Sequence, residues 1–178
     1  MITGHVFIAT SLDGFIAREN GDIEWLLSRD DPSEEHGYHD FIKDIDGLVM
    51  GRGSFEAAVR HDTWPYDKPV LVLSKKLAPL PVPERLKGLV RFSDLAPQAA
   101  MDTLAGEGWR RVYVDGGRIV QSFLREGLIA DMVITQVPVI IGAGRPLFGL
   151  TADDISLTHV STKVFPSGLV QSHYRVEK

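Results

Sequence analysis

The chain has 178 residues, 44% of them hydrophobic and 24% charged, a formal net charge of −5 and no cysteine. One domain over residues 1–178 with a single sizeable core accounts for that length, and no apolar run is long enough to cross a bilayer. The missing cysteine excludes disulfides, a thiolate nucleophile and a Cys-based zinc site, and the acidic balance leaves no basic stripe for nucleic acid, though it leaves room for a small anionic ligand.

The N-terminus "MITGHVFIATSLDG" carries no basic leader segment, so a cytoplasmic protein is expected. Within it "HVFIATS" reads as a buried first strand. "DPSEEHGYHDFIKDI" reads as a helix in which Asp31 caps, Pro32 takes the first position and Glu34 completes a capping box. Its Tyr38, Phe41, Ile42 and Ile45 recur at helical spacing and form one core-facing stripe. "GLVMG" is a short strand leading into the helical "SFEAAV", and "PVLVLS" is a near-continuous apolar strand of the kind covered on both faces. The Pro-rich "LAPLPVPERLKG" is a surface connection. "LVRFS" follows as a strand, then a helix over about Pro97 to Ala105. "RRVYV" runs into Gly116-Gly117 and a helix that closes at Gly127, with Ile119/Phe123 and Val120/Leu124 as i, i+4 pairs. After "DMVITQVPVI" the pattern alternates in "ISLTHVSTKVF" and "LVQSHYRVE", joined by the turn Pro166-Ser167-Gly168. Strands alternating with helices and closed by a hairpin predict an α/β fold, a mostly parallel sheet with helices on its faces and an antiparallel edge.

In such a sheet ligands bind outside the carboxyl ends of the strands. Gly51-Arg52-Gly53-Ser54 stands where a strand passes into a helix, and its amides beside an arginine suit a phosphate. Ser74, Lys75 and Lys76 end another strand, and Gly116, Gly117 and Arg118 a third. Together they outline a pocket for a long ligand with more than one phosphate. It is no Rossmann site, because "IATSLDGFIA" replaces a G-x-G-x-x-G after the first strand, and no Walker lysine motif is present. Asp13 and Asp115 fall at the same edge, where an acid can orient a substrate or pass a proton; the competing roles are an Asp-Gly turn for Asp13 and a helix cap for Asp115. His36 and His39 read as solvated side chains, and no metal is expected. Trp25, Trp64 and Trp109 read as packing, with Trp25 close enough to the first loop to wall a pocket.

"FIATSLDGFIA", "LVMGRGSFE", "LVLSKK", "VYVDGG" and "VPVIIGAGRPLF" together resemble the dihydrofolate reductase-like superfamily over essentially the whole chain. The nearer resemblance is to the C-terminal reductase domain of the riboflavin-biosynthesis deaminase/reductase. It implies a three-layer fold with a central eight-stranded sheet, NADPH along the carboxyl edge, and a homodimer. By that similarity Ala9 and Thr10 offer backbone to the nicotinamide, and Gly14 to Ile16 form a mobile loop over it. Gly51, Arg52, Gly53 and Ser54 hold the phosphates, and Ser74 and Lys75 receive the ribose 2′-phosphate. Gly116, Gly117, Ile119 and Val120 hug the pyrophosphate and ribose, which makes the glycine pair a place of close backbone approach.

The expected activity is reduction of a small heterocyclic or sugar-derived substrate at a C=N or C=O carbon, such as 5-amino-6-(5-phosphoribosylamino)uracil in riboflavin biosynthesis. Asp13 is the acid expected nearest the nicotinamide, with Asp115 orienting substrate or steadying the loop. Folate reduction is a poorer match: the pterin-binding acid of folate reductases follows a Trp and a proline on the first helix, and "IEWLLSRDDPSEEH" offers Glu24, Asp30 and Asp31 out of that pattern. The glutamate usual before the glycine pair in riboflavin-type reductases is here the shorter Asp115. The alternatives are an NADPH sensor without turnover and a structural protein with a vestigial pocket.

Overall fold

Apolar runs of strand length, separated by amphipathic helices, build one eight-stranded sheet covered on both faces. A computed structural model describes residues 1–29 and 31–177. The chain begins with β1 (Thr3–Ser11), β2 (Phe15–Ala17), α1 (Glu24–Leu27), α2 (Tyr38–Lys43), β3 (Gly47–Gly51) and α3 (Arg52–Ala58). It continues with β4 (Val70–Leu73), β5 (Val90–Ser93), α4 (Pro97–Gly106), β6 (Arg111–Asp115) and α5 (Gly117–Arg125). It closes with β7 (Ile129–Val137), β8 (Arg145–Pro146), β9 (Leu157–Val164) and β10 (Val170–Val176). The sheet order is β5-β4-β3-β6-β1-β7-β10-β9. All pairings from β5 to β7 are parallel, and β10 lies antiparallel between β7 and β9. The expected mostly parallel sheet with its closing hairpin is therefore the observed one.

Alternate residues of each strand feed two cores, as the period of two requires. Val49, Leu71, Val112 and Val114 pack with Met101, Leu104, Val120 and Phe123 of α4 and α5. On the other face Leu48, Met50, Val70, Val72 and Tyr113 pack with Ile45 and Phe55, and Tyr38, Phe41 and Ile42 of α2 close over them. Helices α3 and α5 leave neighbouring strands, β3 and β6, for opposite faces of the sheet. That divergence makes the carboxyl ends of β3 and β6 a switch point of the sheet, the place where ligands bind in open α/β sheets.

The predicted helix from Pro32 is shorter than expected. Asp31 does accept a local hydrogen bond, from the Ser33 amide at 2.9 Å, but it closes a turn. The capping partner Glu34 instead receives the Ser167 amide at 2.7 Å, from the hairpin turn far along the chain. Gly37, at φ +83°, then sits outside right-handed helical geometry, and α2 starts only after it. Also unforeseen is a second, two-stranded sheet of β2 and β8. Asp30 lies outside the described residues. Among the tryptophans, Trp25 is buried with Val137, Phe165 and Leu169, Trp64 joins the α2–α3 core, and the Trp109 ring lies against Gly47, so all three pack.

Candidate active site

Strands β4, β3, β6 and β1 are consecutive in the sheet and parallel, so their carboxyl ends bring Ser74, Gly51, Asp115 and Ser11 to one edge. The three phosphate-suited turns and the acid-bearing first loop therefore adjoin one another. Lys75, Lys76 and Arg118 are exposed there, and among the described residues none of them pairs with a carboxylate. Neither α3 nor α5 has a side-chain cap, so the first-turn amides of the nine-residue α5 have no capping acceptor. Unpaired ammonium and guanidinium groups beside uncapped amides are the donor set a phosphorylated dinucleotide needs, so the edge fits the expected cofactor.

The glycine pair has a mechanical cause. A Cβ on Gly116, at φ +94°, would come within 2.5 Å of the Ser54 hydroxyl, and one on Gly117 within 2.4 Å of the Pro146 carbonyl oxygen. The close approach at this turn is made by the protein itself: α3 presses on one glycine and β8 on the other. Ile16 and Ile119 are half-buried beside them, and Ile119 lies against Gly51. Val120 is fully buried and its amide donates to the Gly116 carbonyl, so it contributes packing.

The two acids have different environments. Asp13 is exposed, and its two oxygens accept the Gly142 amide at 2.8 Å and the Ile141 amide at 3.2 Å. The Ser11 hydroxyl and these amides hold its carboxyl below the ordinary aspartate range. Asp13 thus latches the first loop to the segment after β7, where the Leu12 amide also bonds the Val139 carbonyl. The latch is complete above the ordinary aspartate pKa and is released as pH falls through the lowered value. Asp13→Asn should speed exchange of the Ile141 or Gly142 amide by about tenfold or more. Unchanged exchange together with an altered pH–rate profile would return the acid role to Asp13.

Asp115 is half-buried, and burial raises its pKa, against hydrogen bonds from Ser54, Tyr113 and the Gly116 amide that lower it. Period two places it on the same face as Tyr113, whose hydroxyl donates to the Phe7 carbonyl at 2.8 Å and reaches an Asp115 oxygen at 3.5 Å. Burial, and then the charge of Asp115, also raises the phenols of Tyr38 and Tyr66. Phe7 and Phe41 wall this group, with ring centroids 5.1 Å apart. The arrangement is a carboxyl that keeps its proton to higher pH than usual, ringed by phenols that stay protonated. None of the three tyrosines is among the expected site residues: Tyr38 reads only as part of the core-facing stripe, and Tyr113, two before Asp115, is recoverable from strand period.

Arg52, the expected clamp, turns along α3 and pairs with Glu56 at 2.9 Å. The guanidinium beside Gly53 belongs to Arg145 instead. Two concavities lie off this edge: one of about 260 Å³ between α5 and residues 148–157, and one of about 290 Å³ over β1, β7 and β10 on the α2 side. His36 contacts Glu34 and the Phe165 ring, and no cluster among the described residues has the make-up of a metal site.

The pattern defining the RibD C-terminal domain matches residues 3–171. The chain belongs to the RibD C-terminal domain family. Its curated relatives include the uncharacterized protein YwjB of Bacillus subtilis, 32% identical over 173 residues and 95% of each chain. Among solved structures, a protein of Shewanella sp. PV-4 whose name assigns it provisionally to riboflavin biosynthesis is 36% identical. It superposes with a TM-score of 0.92 over 99% of this chain and 100% of that one. A Thermotoga maritima protein named as diaminohydroxyphosphoribosylaminopyrimidine deaminase/5-amino-6-(5-phosphoribosylamino)uracil reductase is 16% identical, with a TM-score of 0.76. This RibD-type domain covers 99% of its own length but 57% of that larger protein. The fold of the family is the dihydrofolate reductase-like one expected from the motifs.

Proposed function

We propose that this chain is an NADPH-dependent reductase of a small heterocyclic or sugar-derived substrate, working in the cytoplasm. The observation that carries the reading is one sheet edge at which unpaired cations adjoin a proton-holding carboxyl. Bound NADPH would supply the hydride. In this reading the Ala9 and Thr10 backbone faces the nicotinamide, with Gly14 and Ile16 in the loop over it. The phosphates lie against Gly51, Arg52, Gly53, Ser54, Gly116, Gly117 and Ile119, with Val120 packing beneath, and Ser74 and Lys75 hold the 2′-phosphate. Asp115 gives a proton to the substrate atom next to the reduced carbon, the phenols around it fix the substrate's orientation, and Asp13 holds the loop in place.

The first substrate to try is 5-amino-6-(5-phosphoribosylamino)uracil, because the Thermotoga relative's name gives it as that protein's substrate. A panel of it, dihydrofolate and simple carbonyl compounds should give steady NADPH oxidation with at least one member. Binding of NADPH without oxidation by any member would contradict turnover and leave a sensor. The chain is also taken to be a homodimer, because the sheet ends in the eight-residue edge strand β9 with Val160 and Val164 exposed, and such an edge can pair with its own copy. Light scattering should give twice the chain mass, and a monomer mass would contradict it.

A further inference from the structure

The sequence offers Arg52 as the arginine of the phosphate turn, but its Nη1 donates to Glu56 Oε1 at 2.9 Å, one turn along the same exposed helix side. Arg145 occupies the place expected of it. Strand β8 pairs antiparallel with β2, Ala17 opposite Arg145 and Phe15 opposite Pro146, which fixes the backbone of Arg145 beneath the first loop. From there the side chain reaches between two glycines. A Cβ on Gly53 would lie 3.2 Å from Nη1, and one on Gly21 would lie 3.3 Å from Nη2. A Cβ at either position would be tighter than ordinary contact, so the two glycines leave room for the guanidinium beside both backbones. Its Nε donates to the Glu19 carbonyl at 3.2 Å, and Nη1 and Nη2 have no acceptor among the described residues. Arg145 thus presents a planar fork, steered by its third nitrogen, between α3 and the 18–22 loop.

We propose that Arg145, rather than Arg52, is the bidentate clamp for the pyrophosphate of the dinucleotide. This rests on the cofactor reading given above. The Nη1 and Nη2 hydrogens match two oxygens of one phosphoryl group, a geometry that a lysine ammonium does not reproduce. Because Nε holds the Glu19 carbonyl, the same side chain ties the 18–22 loop to the occupied site.

The test uses fluorescence titration of the full chain with NADPH, with 2′-phospho-ADP-ribose, which keeps the pyrophosphate, and with adenosine 2′-phosphate, which lacks it. Arg145→Gln should weaken the first two by about 10- to 100-fold and leave adenosine 2′-phosphate unchanged. Arg145→Lys keeps the charge and should recover only part of the loss, which separates the fork from simple attraction and from failure to fold. Equal binding of NADPH by Arg145→Gln and the natural chain would overturn the assignment. So would an equal loss for all three ligands, or a loss confined to Arg52→Gln. If the natural chain binds neither pyrophosphate-bearing ligand, the cofactor reading itself fails.

Discussion

Asp115→Asn is expected to cut turnover by about 10²- to 10⁴-fold, the range for removing a positioned general acid, while leaving the affinity for NADPH close to that of the natural chain. The expectation follows from where β6 ends. Its last residue faces the α2–α3 side with Tyr113, under Phe7 and Phe41, and burial there disfavours the charged form. The protonated acid is the form that can give a proton, so the natural chain's rate should fall as pH rises through the elevated pKa of Asp115. The rate of Asp115→Asn should show no such fall. The carboxyl's contribution to stability should fall over the same pH range. A carboxyl whose folded pKa lies above its unfolded one contributes fully below the unfolded value and loses that contribution as pH rises through the folded value. At pH above the folded pKa, therefore, Asp115→Asn should be no less stable to heat than the natural chain. A variant that keeps its turnover, or loses turnover only by unfolding, would remove Asp115 from the chemistry.

Gly117→Ala is expected to destabilise the fold by roughly 2–4 kcal/mol, a drop in melting temperature of about 5–15 °C for a domain of this size. The cause is steric. Gly117 has no positive φ, but its added methyl would meet the Pro146 carbonyl oxygen at 2.4 Å, with Ile16 at 3.4 Å. The backbone of β8 must yield, and with it Arg145. Gly106→Ala is the control. At the end of α4 it has open space around it and no positive φ, so it should be neutral or stabilising by up to about 1 kcal/mol. Equal melting temperatures for Gly117→Ala and Gly106→Ala would show that the turn is looser than its packing implies.

The elements that announced themselves in the sequence are those whose signal is local. β3, β4 and β6 are runs of β-branched and apolar residues bounded by glycine or polar ends, and α5 carries its apolar residues in i, i+4 pairs. The hairpin of β9 and β10 was visible from alternation around Pro166-Ser167-Gly168. What escaped depends on contacts between distant residues. Glu34 serves Ser167, 133 positions away, and so does not cap its own helix. β8 has two residues, too few for any period, yet it supplies the wall against Gly117 and the arginine beside Gly53. The amide partners of Asp13, at Ile141 and Gly142, lie 128 and 129 positions on and leave no local signal. The displacement of Arg52 was locally legible, since "RGSFE" places Glu56 four residues later on one helical face.

In the function proposed above, the carboxyl edge of this sheet holds NADPH in preference to NADH. Calorimetric titration of the purified chain with each dinucleotide tests it most directly. Micromolar binding of NADPH with at least tenfold weaker NADH, the difference abolished in Lys75→Ala, is the predicted result. Equal affinity for both, or no binding of either, would contradict it.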